Sequence, residues 1–160
     1  MNTQGETNGE LARQLKRANR WHTQEKIALL EALSARFGSG VLDVVDQVIE
    51  ERARRFGMII AQREGASSVD DLIRILWEPE RAQGLEYTAE RLPDGVQIRC
   101  TRCPMHELAC DIRQTEWMHR LVCAADPHVV AGFNSKIQLR RTKTLMQGDD
   151  CCDHFYSVKA

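Results

Sequence analysis

The chain has 160 residues, of which 42% are hydrophobic and 28% charged, an ordinary globular balance with enough length for one sizeable core. Its formal net charge is -1 and charges of both signs are interspersed, which excludes the basic footprint of a general nucleic-acid binder. No stretch approaches the roughly 18 apolar residues of a membrane span, and the polar start MNTQGETNGE lacks a signal-peptide layout. The expectation is a soluble cytoplasmic protein with a small-molecule partner and neither a nucleic-acid nor a membrane partner.

The expected organisation is a disordered tail over residues 1–8 and a single α+β domain over 9–160, helical through about 78 and of hairpin, helix and hairpin character from 84 onward. From Glu10 to Phe37 apolar residues recur at helical spacing, with a break near Trp21 and His22, up to the stop Gly38-Ser39-Gly40. Val41 to Ile60 repeats the pattern as far as Gly65, and its apolar stripe is wide enough to suggest a homodimer through the N-terminal helices. Ser67 or Ser68, with Asp70 or Asp71 three positions on, reads as a capping box opening a third helix through Trp77. The period then changes. Leu85, Tyr87 and Ala89, the turn Pro93-Asp94-Gly95, and Val96, Ile98 and Cys100 read as a β-hairpin. Helices are expected over 104–124 and 127–133, with Cys103 and Asp126 just ahead of first-turn prolines. A second hairpin is expected over 136–146 and 151–158. The fold class is therefore α+β, an N-terminal helical layer followed by a four-stranded antiparallel sheet of two hairpins with intervening helices.

The chain carries six cysteines, which in a reducing compartment are expected to be free or metal-bound rather than paired. If Pro104 opens a helix, Cys103 is its N-cap, where unpaired amides and the dipole favour thiolate. Along that helix His106, Cys110, Arg113 and Trp117 share a face at steps of three and four; packing of Cys110 and Trp117 into the core is the plainer account. In the last strand, period two places Cys152, His154 and Tyr156 on one face and Cys151, Asp153 and Phe155 on the other. Asp149 and Asp150 in the preceding turn can orient an imidazole or simply shape the turn. Cys100-x2-Cys103 is half a zinc-ribbon signature without its second half. A zinc or iron site from Cys103, Cys123, Cys152 and His154 is chemically open. His22, His119 and His128 read as surface or edge residues.

The stretches RCPMHELACDIRQTEWMHRLVCAADP and RRTKTLMQGDDCCDHFY resemble the family of L-2-amino-thiazoline-4-carboxylic acid hydrolases over about residues 96–157. The family's pattern falls on Cys103, Cys123, Asp126, Gly148, Asp149, Cys152, Asp153 and His154. The resemblance implies hydrolysis of a cyclic isothiourea, opening a thiazoline ring to a carbamoyl-cysteine. Such a reaction needs a nucleophile, a proton donor for the leaving group and a cation for the substrate carboxylate. The expected cast is Cys103 as nucleophile, or holding a metal that activates water, with Cys123 and Cys152 beside it. His154 relays protons, oriented by Asp149 or Asp153; Arg113, Arg140 or Arg141 grips the carboxylate; His106 and Asp126 line the substrate site. The helical lead-in and late cysteines also resemble the vinyl-reductase-type ligand-binding domains, which implies a small-molecule or metal-binding sensor module with a Cys/His zinc or iron site and no turnover.

Overall fold

The computed structural model describes residues 3–159, with side chains from residue 9 onward. Of the tail expected over 1–8, residues 1 and 2 lie outside the described residues, and 3–8 have a helical backbone. The chain divides into two compact units, residues 1–44 and 45–160. In the first, helix α1 (Thr3–Phe37) runs without interruption. The break expected at Trp21 and His22 is absent, and their rings instead meet edge-on at 4.9 Å. Gly38, at φ +83, ends α1 in the left-handed region that glycine adopts without steric cost.

Helix α2 (Gly40–Glu64) starts in the first unit and runs into the second, ending at Gly65, also at positive φ. Its inward face carries the small residues Ala53 and Gly57 with Ile60, all buried. The smallness is required: a Cβ on Gly57 would collide with the Val129 carbonyl oxygen, and one on Gly132 with that of Arg54. The two backbones thus cross at close range, α2 against α7 (Asp126–Phe133). The opposite face of α2 leaves Val48, Phe56, Met58 and Ile59 exposed.

Helix α3 (Val69–Leu76) opens on the expected capping box, with Ser68 Oγ accepting from the Asp71 amide and the Asp71 carboxylate accepting from the Ser68 amide. A short helix α4 (Glu78–Arg81), which the sequence reading did not foresee, leads into the sheet. Strands β1 (Glu86–Leu92), β2 (Gly95–Arg102), β3 (Ile137–Arg141) and β4 (Cys152–Val158) form one antiparallel sheet in the order β1-β2-β4-β3. Both hairpins are present, though the first arm of the late one, expected over 136–146, ends at Arg141 and is followed by a 3₁₀ turn over Leu145–Gln147; the late hairpin brings β4 to the centre, between β2 and β3. One face of the sheet packs Val96, Ile98, Cys100, Cys152 and Tyr156 against Leu72, Trp77, Val130 and Phe133 in a continuous core.

The helix expected over 104–124 is in fact two helices and a turn. α5 (Pro104–Ile112) ends where Arg113 adopts a left-handed conformation at φ 57, α6 (Thr115–Leu121) follows, and a 3₁₀ turn spans Cys123–Ala125. A non-glycine residue in that region is rare, and here it reverses the chain. The shared stripe of His106, Cys110, Arg113 and Trp117 is therefore broken after Cys110.

Candidate active site

Four cysteines gather at one end of the sheet's core face. Cys100 and Cys152 are direct cross-strand partners in β2 and β4, and period two turns both inward with His154. Cys103 is the N-cap of α5, as expected, with Pro104 at the first helical position. Cys123 opens the 3₁₀ turn before α7. All are free thiols.

The cluster is not chemically uniform. Cys152 Sγ accepts a hydrogen bond from the Leu145 amide at 3.3 Å. The Cys100 thiol is within hydrogen-bonding reach of that sulfur, and the Arg141 cation adds positive charge nearby; against the penalty of burial these hold Cys152 below the ordinary thiol value. Cys100 moves the opposite way, because its proton is the one shared with Cys152 and because it is buried. The same S–H also finds the Arg102 carbonyl at 3.3 Å.

Cys103 reverses its expected character. The first-turn amides of Met105 and His106 favour its thiolate without closing a capping hydrogen bond, but burial outweighs them and pushes the thiol up. Burial, reinforced by the Asp126 carboxylate, pushes Cys123 up to about 12. The group in this cluster poised to be a thiolate is Cys152.

Beside it stands a polar triad that no sequence spacing announced. Arg141 Nη1 donates to Asp126 Oδ2 at 2.5 Å and Nη2 to the Cys123 carbonyl at 3.0 Å. His154 Nε2 lies 3.4 Å from the same Asp126 oxygen and 3.3 Å from Arg141 Nη1. Asp126 reaches them because it is the first residue of α7 rather than its N-cap, which is Ala125. The imidazole is fixed by its neighbours: Trp77 meets it edge-on at 4.9 Å, and Tyr156 stacks on it at 6.2 Å while accepting from Trp77 Nε1. Burial pushes the Tyr156 phenol up, so that hydroxyl stays protonated. His154 Nδ1 is buried with no hydrogen-bond partner. An orphaned acceptor costs less than an orphaned donor in such a site, since the Nε2 proton has Asp126 to bond. That tautomer leaves Nδ1 as a bare base.

Several expected roles change. The carboxylate that orients His154 is Asp126, not Asp149 or Asp153. Asp149 accepts from the Thr144 amide at 2.7 Å and shapes the turn before β4. Asp153 points to the other face, binding the amides of Thr142 and Lys143 and the Thr142 hydroxyl. Arg140 is also on that other face, its guanidinium 4.9 Å above the Phe155 ring. Arg113 has its backbone in the turn between helices and its side chain exposed. Arg141 is in the cluster, but its two terminal nitrogens are engaged, so it organises Asp126 and His154 rather than offering a free fork.

A cleft of about 640 Å³ adjoins the cluster, lined by His106, Cys110, Thr115, Glu116, His119, Leu145, Met146, Gln147 and Gly148. That volume suits a small molecule, and Leu145 joins the cleft to Cys152 by its amide. His106 lines it, as expected of a substrate-site residue, with Nε2 3.3 Å from Cys110 Sγ. His119, expected at the surface or an edge, lines it too; burial, with Arg141 nearby, pushes its imidazole below the ordinary value. Among the described residues, no group of three or more His, Cys, Asp or Glu side chains is arranged to hold a metal ion. The zinc or iron site expected from Cys103, Cys123, Cys152 and His154 does not fit these donors: His154 Nε2 is turned to Asp126 and Arg141, and Cys152 to Leu145 and Cys100.

Among the described residues no helix is long and apolar enough to cross a membrane. The sequence matches the family model for L-2-amino-thiazoline-4-carboxylic acid hydrolase over residues 18–156. The chain belongs to that family, and the match extends well beyond the C-terminal stretch in which the motifs lie. A comparison with curated proteins found no match. Two solved structures share the fold. One is a trafficking protein particle complex subunit 3 from Naegleria fowleri covalently bound to palmitic acid, with 10% identity, 91% of this chain and 97% of that chain covered, and a TM-score of 0.53. The other is the phenol-responsive sensory domain of the transcription activator PoxR with phenol, with 9% identity, 82% and 71% covered, and a TM-score of 0.51. At such identities the likeness is one of fold.

Proposed function

We propose that this chain hydrolyses a small cyclic amidine or isothiourea, such as 2-amino-thiazoline-4-carboxylate, to a carbamoyl-cysteine, with Cys152 as nucleophile. The observation that carries the reading is the placement of Cys152 Sγ as acceptor of the Leu145 amide, beside Cys100 and the Asp126–Arg141–His154 triad. The Cys152 thiolate adds to the ring carbon between nitrogen and sulfur. The bond from that carbon to the ring sulfur then breaks, and the departing sulfur takes a proton, leaving an enzyme-bound isothiourea that still holds both nitrogens. Water, deprotonated by His154, attacks the same carbon, and the Cys152 thiolate leaves with release of the carbamoyl product. Arg141 fixes Asp126, and the Asp126 carboxylate holds the imidazole in register and stabilises it when it carries the proton. The cleft beside Leu145 and Met146 admits the substrate, and His106 and His119 supply its polar wall.

The test is to incubate the full chain with 2-amino-thiazoline-4-carboxylate, follow carbamoyl-cysteine by mass spectrometry, and quench in acid. The expected result is turnover together with an adduct on Cys152 equal in mass to the intact substrate. Undiminished turnover by Cys152→Ser removes the assignment.

A second reading, a ligand-binding module without turnover, draws support from the fold shared with the phenol-responsive sensory domain and from the size of the cleft. Saturable binding of the thiazoline by calorimetry, with no product formed, is the outcome that favours it.

A further inference from the structure

The mechanism above uses one sulfur of four, and the nearest of the others is placed for a different reaction. Cys100 and Cys152 face each other across an antiparallel pair. Partners in that position stand ~4.5–5.5 Å apart at Cα, within the ~4.4–6.8 Å that a disulfide accepts. Their thiols are within hydrogen-bonding reach of each other, so a bond between them needs side-chain rotation but no shift of either strand. Cys100 is 2% exposed and Cys152 8%. Both are buried, but Leu145, whose amide bonds Cys152 Sγ, lines the cleft, so Cys152 is the sulfur on the side from which a small oxidant arrives. Cys103, the other sulfur close by, sits on α5 rather than on the partner strand, over the amides of Met105 and His106.

We propose that Cys152 and Cys100 form a cross-strand dithiol that reduces a hydroperoxide, with Cys152 as the attacked sulfur and Cys100 as the resolving thiol. The Cys152 thiolate displaces hydroxide from hydrogen peroxide, or alkoxide from an organic hydroperoxide, and becomes a sulfenic acid. The Cys100 thiol then condenses with it: an S–S bond forms, the S–O bond breaks, and water leaves with the Cys100 proton. The peroxide gains two electrons and the cysteine pair loses two. Two equivalents of a low-molecular-weight thiol restore the dithiol by exchange. The proposal shares Cys152 with the hydrolysis proposed above but is read as a disulfide formed with peroxide in the absence of thiazoline, so either can fail while the other stands.

The experiment treats the reduced full chain with one equivalent of hydrogen peroxide, alkylates it under denaturing acid-quenched conditions, and maps tryptic peptides. Cleavage after Arg99 and Arg102 isolates Cys100 in a three-residue peptide apart from Cys103, so the partner is unambiguous. Carrying out the map in Cys151→Ser assigns the other half to Cys152. The expected result is a loss of about 2 mass units and a peptide joining Cys100 to Cys152, reversed by dithiothreitol. In Cys100→Ser the expected result is a sulfenic acid on Cys152, trapped by dimedone and passing to higher oxides as peroxide is added. A link from Cys152 to Cys103 or Cys123 overturns the proposal. So does oxidation confined to the exposed Cys110 while Cys152 stays reduced; fragment ions of the wild-type peptides, which pair Cys103 with Cys110 and Cys151 with Cys152, give both readings without depending on how any variant folds.

Discussion

The two faces of the sheet carry the same kinds of residue one position apart and use them differently. On the core face, Cys152, Arg141 and His154 are enclosed, and each charged or polar atom has few partners; Arg141 is 12% exposed and meets Asp126, His154 and the Cys123 carbonyl. On the outer side, Cys151 lies beside Arg99, Asp150 and Lys143, where burial pushes its thiol up. There Asp150 takes Arg99 at 2.6 Å and Lys143 at 3.0 Å, and these two cations hold its carboxyl down to about 2. Those pairs are open to solvent, where water and salt screen them. Arg140 rests on Phe155 with no carboxylate. Low dielectric strengthens the few contacts of the inner set and gives each a chemical consequence; the outer ion pairs form a solvated lattice over the buried Cys151.

The sharpest way to break this comparison is at the adjacent cysteines. Cys152→Ala is expected to lower kcat/KM for the thiazoline by about a thousandfold or more, the scale for loss of a covalent nucleophile. Cys151→Ala is expected to stay within about threefold of wild type, since surroundings without a nucleophilic role contribute only through packing. Steady-state kinetics on the pair decides it, and equal losses in both would erase the distinction between the faces. The adjacent arginines come next. Arg141→Gln removes the cation from Asp126 and the partner from the Cys123 carbonyl, and is expected to cost about 1–3 kcal/mol of stability with a ten- to hundredfold fall in kcat from a mispositioned imidazole. Arg140→Gln is expected to change stability by less than about 1 kcal/mol, the worth of an exposed cation–aromatic contact. Denaturant titration and kcat measured on both variants check the pair. A stable, fully active Arg141→Gln would show that the triad does not position His154.

Part of this contrast was legible in the sequence. Strict alternation in residues 152–156 separates Cys152 and His154 from Cys151, Asp153 and Phe155, because a strand offers two faces and nothing else. The capping box at Ser68 and Asp71 and the N-cap position of Cys103 were likewise local. What was not legible was nonlocal. Asp126 meets His154 only once α7 docks beside β4 and β3 reaches across, so no spacing along the chain points to it, and Asp149 and Asp153 looked nearer merely because they are close in sequence. Cys103 shows the limit from the other side: its cap could be read, but the desolvation that overrides the cap depends on what packs over it. Arg113 could not be read at all, because a left-handed arginine carries no compositional mark, and with it went the cleft that His119 lines beyond the turn.

The smallest expected effect tests why Cys152 differs from its neighbour at all. A thiol held below its ordinary value by hydrogen bonds is protonated at low pH and becomes the nucleophile as pH rises through that lowered value, so the acid limb of kcat/KM belongs below the ordinary thiol range near ~8.5. The first contribution to the lowering is the Cys100 thiol, followed after the opposing cost of burial by the Leu145 amide. Cys100→Ala deletes that donor while leaving the amide, His154 and Arg141 in place. The acid limb should therefore move to higher pH, and at pH below it kcat/KM should fall roughly tenfold for each unit moved, while the plateau at high pH is largely kept because the thiolate forms there regardless. Rates measured from pH 5 to 9 separate the two effects. A limb that does not move would transfer the activation of Cys152 to the Leu145 amide and the Arg141 cation beside it. A plateau that collapses along with the limb would make Cys100 a packing residue whose loss disturbs the strand pair itself.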